Sequence, residues 1–525
     1  MNRSVFAVVT GAALFCAPVI SAQEHGPPPR GQDRLGTVHF PTSCAPRVVP
    51  TFDHAMALLH SFEFGAAIGS FERVLADDSA CAIAWWGIAL SRWTNPMVPD
   101  IRPAALLENG RRASSAAMRF AGNATARERA YIAAVAKLFD NHEQVDQRTR
   151  VSSYRDAMAR VAADHPEDSE ARIFHALAIV AAADPSDKTY ASQLGAGAML
   201  EQLFATQPDH PGLAHYIIHS YDYPALAARA AAAARRYADI APSAAHALHM
   251  PSHTFTRVGL WKESDRTNMR SMEVAIASGS FAEALHGADY AVYANLQMRR
   301  DSAARALIER LPEITARFDP DAVTGAAPGS AGVFALAAIP ARYALERDAW
   351  REAAGLHAAS SKFPWAEAMT HLARGIGAAR VGDLDRARSS VDTLAAIQRR
   401  VAAMRQSYWA EQVAIQHLSA AAWLELARGR ADSALRLQRE AAAREDATEK
   451  AAVSPGPLAP ARELLADMLF ERGRFTEALG EYLASLVRDP KRYRSLRGAM
   501  LAAAAAGDTS AATAFRRELD RLTAP

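Results

Sequence analysis

The fold class this sequence predicts is all-α: an α-solenoid superhelix of stacked antiparallel helix pairs. Three observations predict it. Apolar residues recur at three- and four-residue spacing almost to the C-terminus, the signature of helices with one buried face. Alternating strand patterns are not evident. A turn residue followed five positions later by a small one recurs along the chain, as a repeat array requires.

The chain has 525 residues, half of them hydrophobic and 22% charged, so a large folded core is available. Its 59 basic and 57 acidic residues nearly cancel. Such a balance provides no global field for nucleic acid or an anionic membrane, and no basic stripe with interleaved aromatics is present. Residues 1–22 read as a secretory signal peptide, with Arg3, an apolar run from Val5 to Ile20, and a cut after Ala22. The mature protein is therefore expected to be periplasmic or secreted, with no membrane span. Residues 23–50, rich in proline and glycine, read as a flexible leader. With the signal removed, Cys44 and Cys81 remain. In an oxidising compartment an isolated pair is most simply a disulfide, two buried thiols being the alternative.

Residues 51–310 are expected to form an N-terminal array, 311–330 a loop containing "DPDAVTGAAPGS", and 331–525 a C-terminal array. The clearest unit is "PARELLADMLFERGRFTEALGEYLASLVRDP", Pro460 to Pro490. Leu465, Leu469, Gly473, Ala478, Tyr482 and Pro490 give it a resemblance to the tetratricopeptide repeat (TPR), a helix–turn–helix unit of 34 residues. The same turn-plus-small pairing occurs at Phe62/Ala67, Gly259/Ser264, Arg299/Ala304, Asp348/Ala353, Gly382/Ala387, Gly429/Ala434 and Gly507/Ala512. Roughly ten helical pairs are expected. The mature chain also resembles a group of exported bacterial TPR proteins, through "HFPTSC", "ALLHSFEF", "CAIAWWGIALS", "PDHPGLAHYIIHSYDYP", "HALHMPSHTFTRVGLW", "LHGADYAVYANLQ" and "SPGPLAPARELLADML". That likeness implies export and a repeat array. It implies no reaction.

The stretches "HPGLAHYIIHSYDYP" and "PSAAHALHMPSHTFTRVG" hold six of the seventeen histidines. His215 and His219 are i,i+4 and share a helix face. His246, His249 and His253 point within about 60° of one another at 100° per residue. The TPR resemblance places Gly212, His215, His219, Asp222 and Tyr223 on the concave groove, then His246, His249, His253, Thr256 and Arg257, then His286, Asp289, Tyr293, Leu296 and Gln297. Pro251 should kink the middle helix.

Imidazoles at i,i+4 can chelate one divalent cation, and zinc or copper suits them best. His215, His219, His246, His249 and His253 are the candidate metal ligands. Asp222 and Asp289 would ligate or orient a ring, and Tyr223, Arg257, His286 and Tyr293 would complete a ligand-binding groove. An acidic or aromatic ligand would also use such a surface, and a single helical histidine is usually structural. Lone His60 reads as packing. Glu463 and Asp467, also i,i+4, read as a solvated acidic face or a seat for a cation or basic partner. Two functions fit. One is an exported scaffold binding a protein, peptide or small ligand in its groove, with a histidine patch able to hold metal. The other is a zinc- or copper-dependent enzyme with the groove as active site. No catalytic residue is assigned.

Overall fold

The computed structural model describes residues 33–98 and 100–524. The expected signal peptide and the first part of the leader lie outside the described residues. Residues Arg34–Pro525 make one compact unit. It is a TPR-like α-solenoid, with twenty-five α-helices and no strand among the described residues. They form twelve pairs once Ala245–His249 and Pro251–Arg257 are counted as one broken helix. No described helix is long and apolar enough to cross a membrane.

The repeat turns show why the pairing pattern is readable. Phe62, Gly259, Arg299, Asp348, Gly382, Gly429, Gly473 and Gly507 all have positive φ, between 56° and 86°. Each ends the first helix of its pair in a left-handed cap. The next N–H then reaches back to a carbonyl of the last turn, as from Leu260 to Phe255 and from Arg474 to Leu469. Five residues after each turn, Ala67, Ser264, Ala304, Ala353, Ala387, Ala434 and Ala478 are fully buried, where the paired helices approach closely. Ala512, in the last described helix, is only half-buried.

The leader differs from expectation. From Arg34 it is a strap on the array rather than a flexible segment. Phe40 is 0% exposed and packs among the rings of Phe52, Trp86 and Tyr131. The Phe40 and Ser43 amides donate to Asp53 and Glu128, and the Thr37 amide to the Asp209 carbonyl. An aromatic anchor outweighs the nearby Gly and Pro content. The Cys44–Cys81 disulfide is present and ties the strap to the start of helix Ala82–Trp93. The loop is shorter than 311–330, since helix Asp301–Thr315 precedes it and helix Gly329–Glu346 follows.

The two arrays do not stand apart with an open groove. Later repeats fold back over earlier ones. Lys450 pairs with Asp222, Tyr290 donates to the Ser454 carbonyl, Trp409 donates to Asp100, and Trp261 donates to the Lys491 carbonyl. Residues of the later repeats thus lie directly against residues expected to line the groove of the earlier ones.

Candidate metal centre

Four helices supply the histidines. His215 and His219 lie on Pro211–Ser220, and His286 on Phe281–Gln297. His246 and His249 lie on Ala245–His249, and His253 on Pro251–Arg257. The break expected at Pro251 falls at Met250, between His249 and His253. All six rings are buried, none more than 4% exposed. The expectation of an open, groove-lining surface is therefore corrected: the residues share one face, and that face is interior.

The rings sort into two triads. Ligand nitrogens of His215, His219 and His246 lie within 4.8 Å of one another, and so do those of His249, His253 and His286. Within the first triad, ring centroids stand 4.8 Å (His215–His219), 4.9 Å (His215–His246) and 6.3 Å (His219–His246) apart, and within the second 4.4 Å (His249–His286), 5.0 Å (His249–His253) and 6.2 Å (His253–His286). The triads adjoin through His246–His249 at 5.9 Å and His219–His253 at 6.2 Å.

Hydrogen bonds set the tautomers. His215 Nδ1 donates to the His60 carbonyl at 2.7 Å, and His246 Nδ1 to Glu283 at 2.9 Å. His249 Nδ1 donates to Asn268 Oδ1 at 2.6 Å, an oxygen identified because Asn268 Nδ2 donates to the Ser264 carbonyl. His253 Nδ1 donates to Asp222 at 2.8 Å. Each of these four rings then presents an Nε2 lone pair inward. Each triad thus has one ring backed by a carbonyl-type oxygen and one by a carboxylate, the outer-shell support typical of metal-ligating histidine. The buried Nε2 atoms of His215, His219 and His246 make no hydrogen bond, nor does His286 Nδ1. His249 and His253 bring their Nε2 atoms 3.0 Å apart. Two lone pairs at that distance need a cation between them.

A proton does not meet that need well. Burial is the largest influence on His215, His219, His249 and His286 and holds each well below the ordinary histidine range. Burial likewise lowers His253, to about 4, against the opposing pull of Asp222. Neutral imidazole is the ligating form.

The other predicted residues are placed as follows. Asp222 reaches the centre only through His253 and also accepts from Arg257 and Lys450. Arg257 is buried and engaged with Asp222, so it is not a free anion site. Tyr223 accepts from Gln193 and packs on Tyr190. Asp289 is taken by Arg342, and Tyr293 accepts from Arg492. His286 belongs to the second triad rather than to a separate ligand groove. His60 is fully buried but not lone: it faces Glu170 at 2.9 Å, and His60, Glu170 and His210 form a third cluster of ligating side chains. Glu463 and Asp467 are neither solvated nor open to a partner: Arg492 and Arg494 of the next repeat occupy them. Their helix face turns inward because the following helix covers it.

Glu283, Asn268, Lys450 and Tyr290 are neighbours of the histidines that the sequence reading did not assign to the site. Glu283 stands three residues before His286, a same-face spacing that could have signalled it. Asn268, on a different helix, carries no such signal. Tyr290 Oη lies 3.4 Å from His253 Nε2 and 3.5 Å from Lys450 Nζ. Lys450, which burial lowers to about 8 despite Asp222, also lines a cavity of about 70 Å³. Trp365, Trp409, Tyr408, Arg257 and Arg488 share that cavity wall.

No protein-family model matches this chain, and no curated protein matches it. Solved structures with similar folds include the human IFIT1 dimer with m7Gppp-AAAA, 12% identical, covering 85% of this chain and 90% of that one at a TM-score of 0.38. Yeast Tom70 is also 12% identical, covering 88% and 96% at a TM-score of 0.35. Likenesses this distant carry no functional argument.

Proposed function

We propose that this protein is a transition-metal protein, and that the histidine triads inside the solenoid are its functional centre. The observation that supports this is the trio of buried Nε2 atoms on His215, His219 and His246, which make no hydrogen bond while the Nδ1 donors of His215 and His246 are committed elsewhere. Burying lone pairs without a donor costs about 1–3 kcal/mol per group. A bound ion removes that cost. All-imidazole ligation suits copper or zinc. The chain is then a scaffold whose first ligand is a metal ion. The aromatic and charged cavity that Lys450 lines is where a small organic ligand or peptide end would sit. A bound metal would supply Lewis-acid or redox chemistry. The chain's own part is to orient the rings through Asp222, Glu283, Asn268 and the His60 carbonyl, and to exclude bulk water. Export accompanies this reading, supported by the N-terminal sequence and by the disulfide.

The test is elemental analysis of untagged mature protein, from Gln23 onward, after dialysis against trace zinc and copper. Near-stoichiometric metal in the wild type, lost in the His219→Ala/His253→Ala double variant, is the expected result. Wild-type protein with no metal above background overturns the reading and leaves a scaffold for organic or protein ligands.

A further inference from the structure

We infer that the centre is dinuclear, with one ion on His215, His219 and His246, a second on His249, His253 and His286, and a single small oxygen ligand between them. This rests on the metal reading above and specifies its stoichiometry and bridging ligand.

The first ground is distance. A zinc–nitrogen bond is about 2.0–2.1 Å, so two donors on one ion stand at most about 4.2 Å apart. The six rings do not gather into one such set. They fall into two groups of three, in each of which one ligand nitrogen per ring lies within 4.8 Å of the other two. A single ion can satisfy one triad and leaves the other with its lone pairs unmatched.

The second ground is the supporting shell, which is built twice. His246 of one triad is backed by Glu283, and His253 of the other by Asp222. His215 and His249 are each backed by a carbonyl-type oxygen. One carboxylate behind each triad offsets part of the charge that two cations would bring into a buried site. A mononuclear centre has no use for the second set.

The third ground is the space between. A cavity of about 10 Å³ is lined by His219 and His246 from one triad and by His253 and His286 from the other. Its remaining wall is Asn95 and apolar residues that include Val98, Ala327, Ala331 and Val453. That volume admits about one water-sized ligand. Water or hydroxide held there would touch ions on both sides. The third His–carboxylate group, His60, Glu170 and His210, does not join. Each Glu170 oxygen already faces one ring at 2.9 Å.

The experiment loads the full mature chain with excess copper(II) or zinc(II) sulfate, removes unbound ion by gel filtration, and measures metal per chain. Two ions are expected in the wild type and one in either His215→Ala or His286→Ala. In copper-loaded wild type, the paramagnetic spin count should fall below the copper count, because neighbouring ions couple. In the single-triad variants the two counts should agree. One ion per wild-type chain, or two retained in either variant, overturns the two-site inference while the metal reading stands. No ion in the wild type overturns both. If His215→Ala does not fold, as judged by its thermal transition, His219→Gln tests the same triad.

Discussion

Two buried polar clusters occupy the same kind of position in this solenoid, and they are completed differently. The C-terminal one is centred on Glu463, whose carboxylate takes both Nε and Nη2 of Arg492, at 2.7 and 2.9 Å, and the Ser495 hydroxyl. Arg494 adds a bond to Asp467, which also accepts from Tyr482. Anion meets cation there, and the protein supplies both. The histidine cluster is equally buried, yet its rings point lone pairs at one another and at a small cavity. A cluster that pairs its own charges is a fastening between repeats. A cluster of acceptors with committed donors at its back is what the proposed metal site requires.

That contrast can be broken most severely at Arg492. Removing one partner of a buried ion pair costs about 3–5 kcal/mol. Arg492→Ala should lower stability by that amount in urea unfolding and leave metal content unchanged. If metal falls with stability at constant fold, the two clusters are coupled and the contrast fails.

Acid should separate them next. Burial pushes Glu463 up, but the charges of Arg492 and Arg494 and the hydrogen bonds from Arg492 and Ser495 outweigh it and hold the carboxyl at about 2. The unfolded carboxyl titrates near the ordinary value of about 4.5. The folded pKa is depressed, so this stabilisation is complete above about pH 4.5 and is lost as pH falls from there towards 2. It amounts to about 3 kcal/mol at 1.36 kcal/mol per pKa unit. Glu463→Gln should flatten that part of the stability–pH curve. An unchanged acid limb would mean that other carboxylates carry it.

Chelation acts in the opposite pattern. Metal at 100 times its Kd stabilises the folded state by about 2.7 kcal/mol. EDTA should lower the Tm of metal-loaded wild type and of Glu463→Gln, and leave His219→Ala/His253→Ala unmoved. The smallest effect is expected behind the ligands. Glu283→Gln should weaken metal about 10- to 100-fold in competition with a chromophoric chelator, with little change in the metal-free Tm. A metal affinity equal to wild type would reduce Glu283 to packing.

The sequence by itself determined the repeat turns and the shared histidine face. Turn residues such as Asp348 and Gly382 and the small residues five positions on are local requirements of a left-handed cap and a close helix crossing, so each is written in a few adjacent residues. His215/His219 and His246/His249/His253 follow from helical spacing in the same way. The pairing of Cys44 with Cys81 was legible as the simpler of two readings, the other being two buried thiols. Burial of the leader at Phe40 was not, because it depends on Trp86 and Tyr131 of other helices. Closure of the groove was not either: Lys450 reaches Asp222 across 228 positions of the chain. Only the tertiary structure divided six rings into two triads, placed Glu283 and Asn268 behind them, and gave Asp289 to Arg342 and Glu463 to Arg492. The physical reason is that periodicity fixes which face a side chain takes on its own helix, whereas the angle and stagger between helices come from packing summed over the whole superhelix.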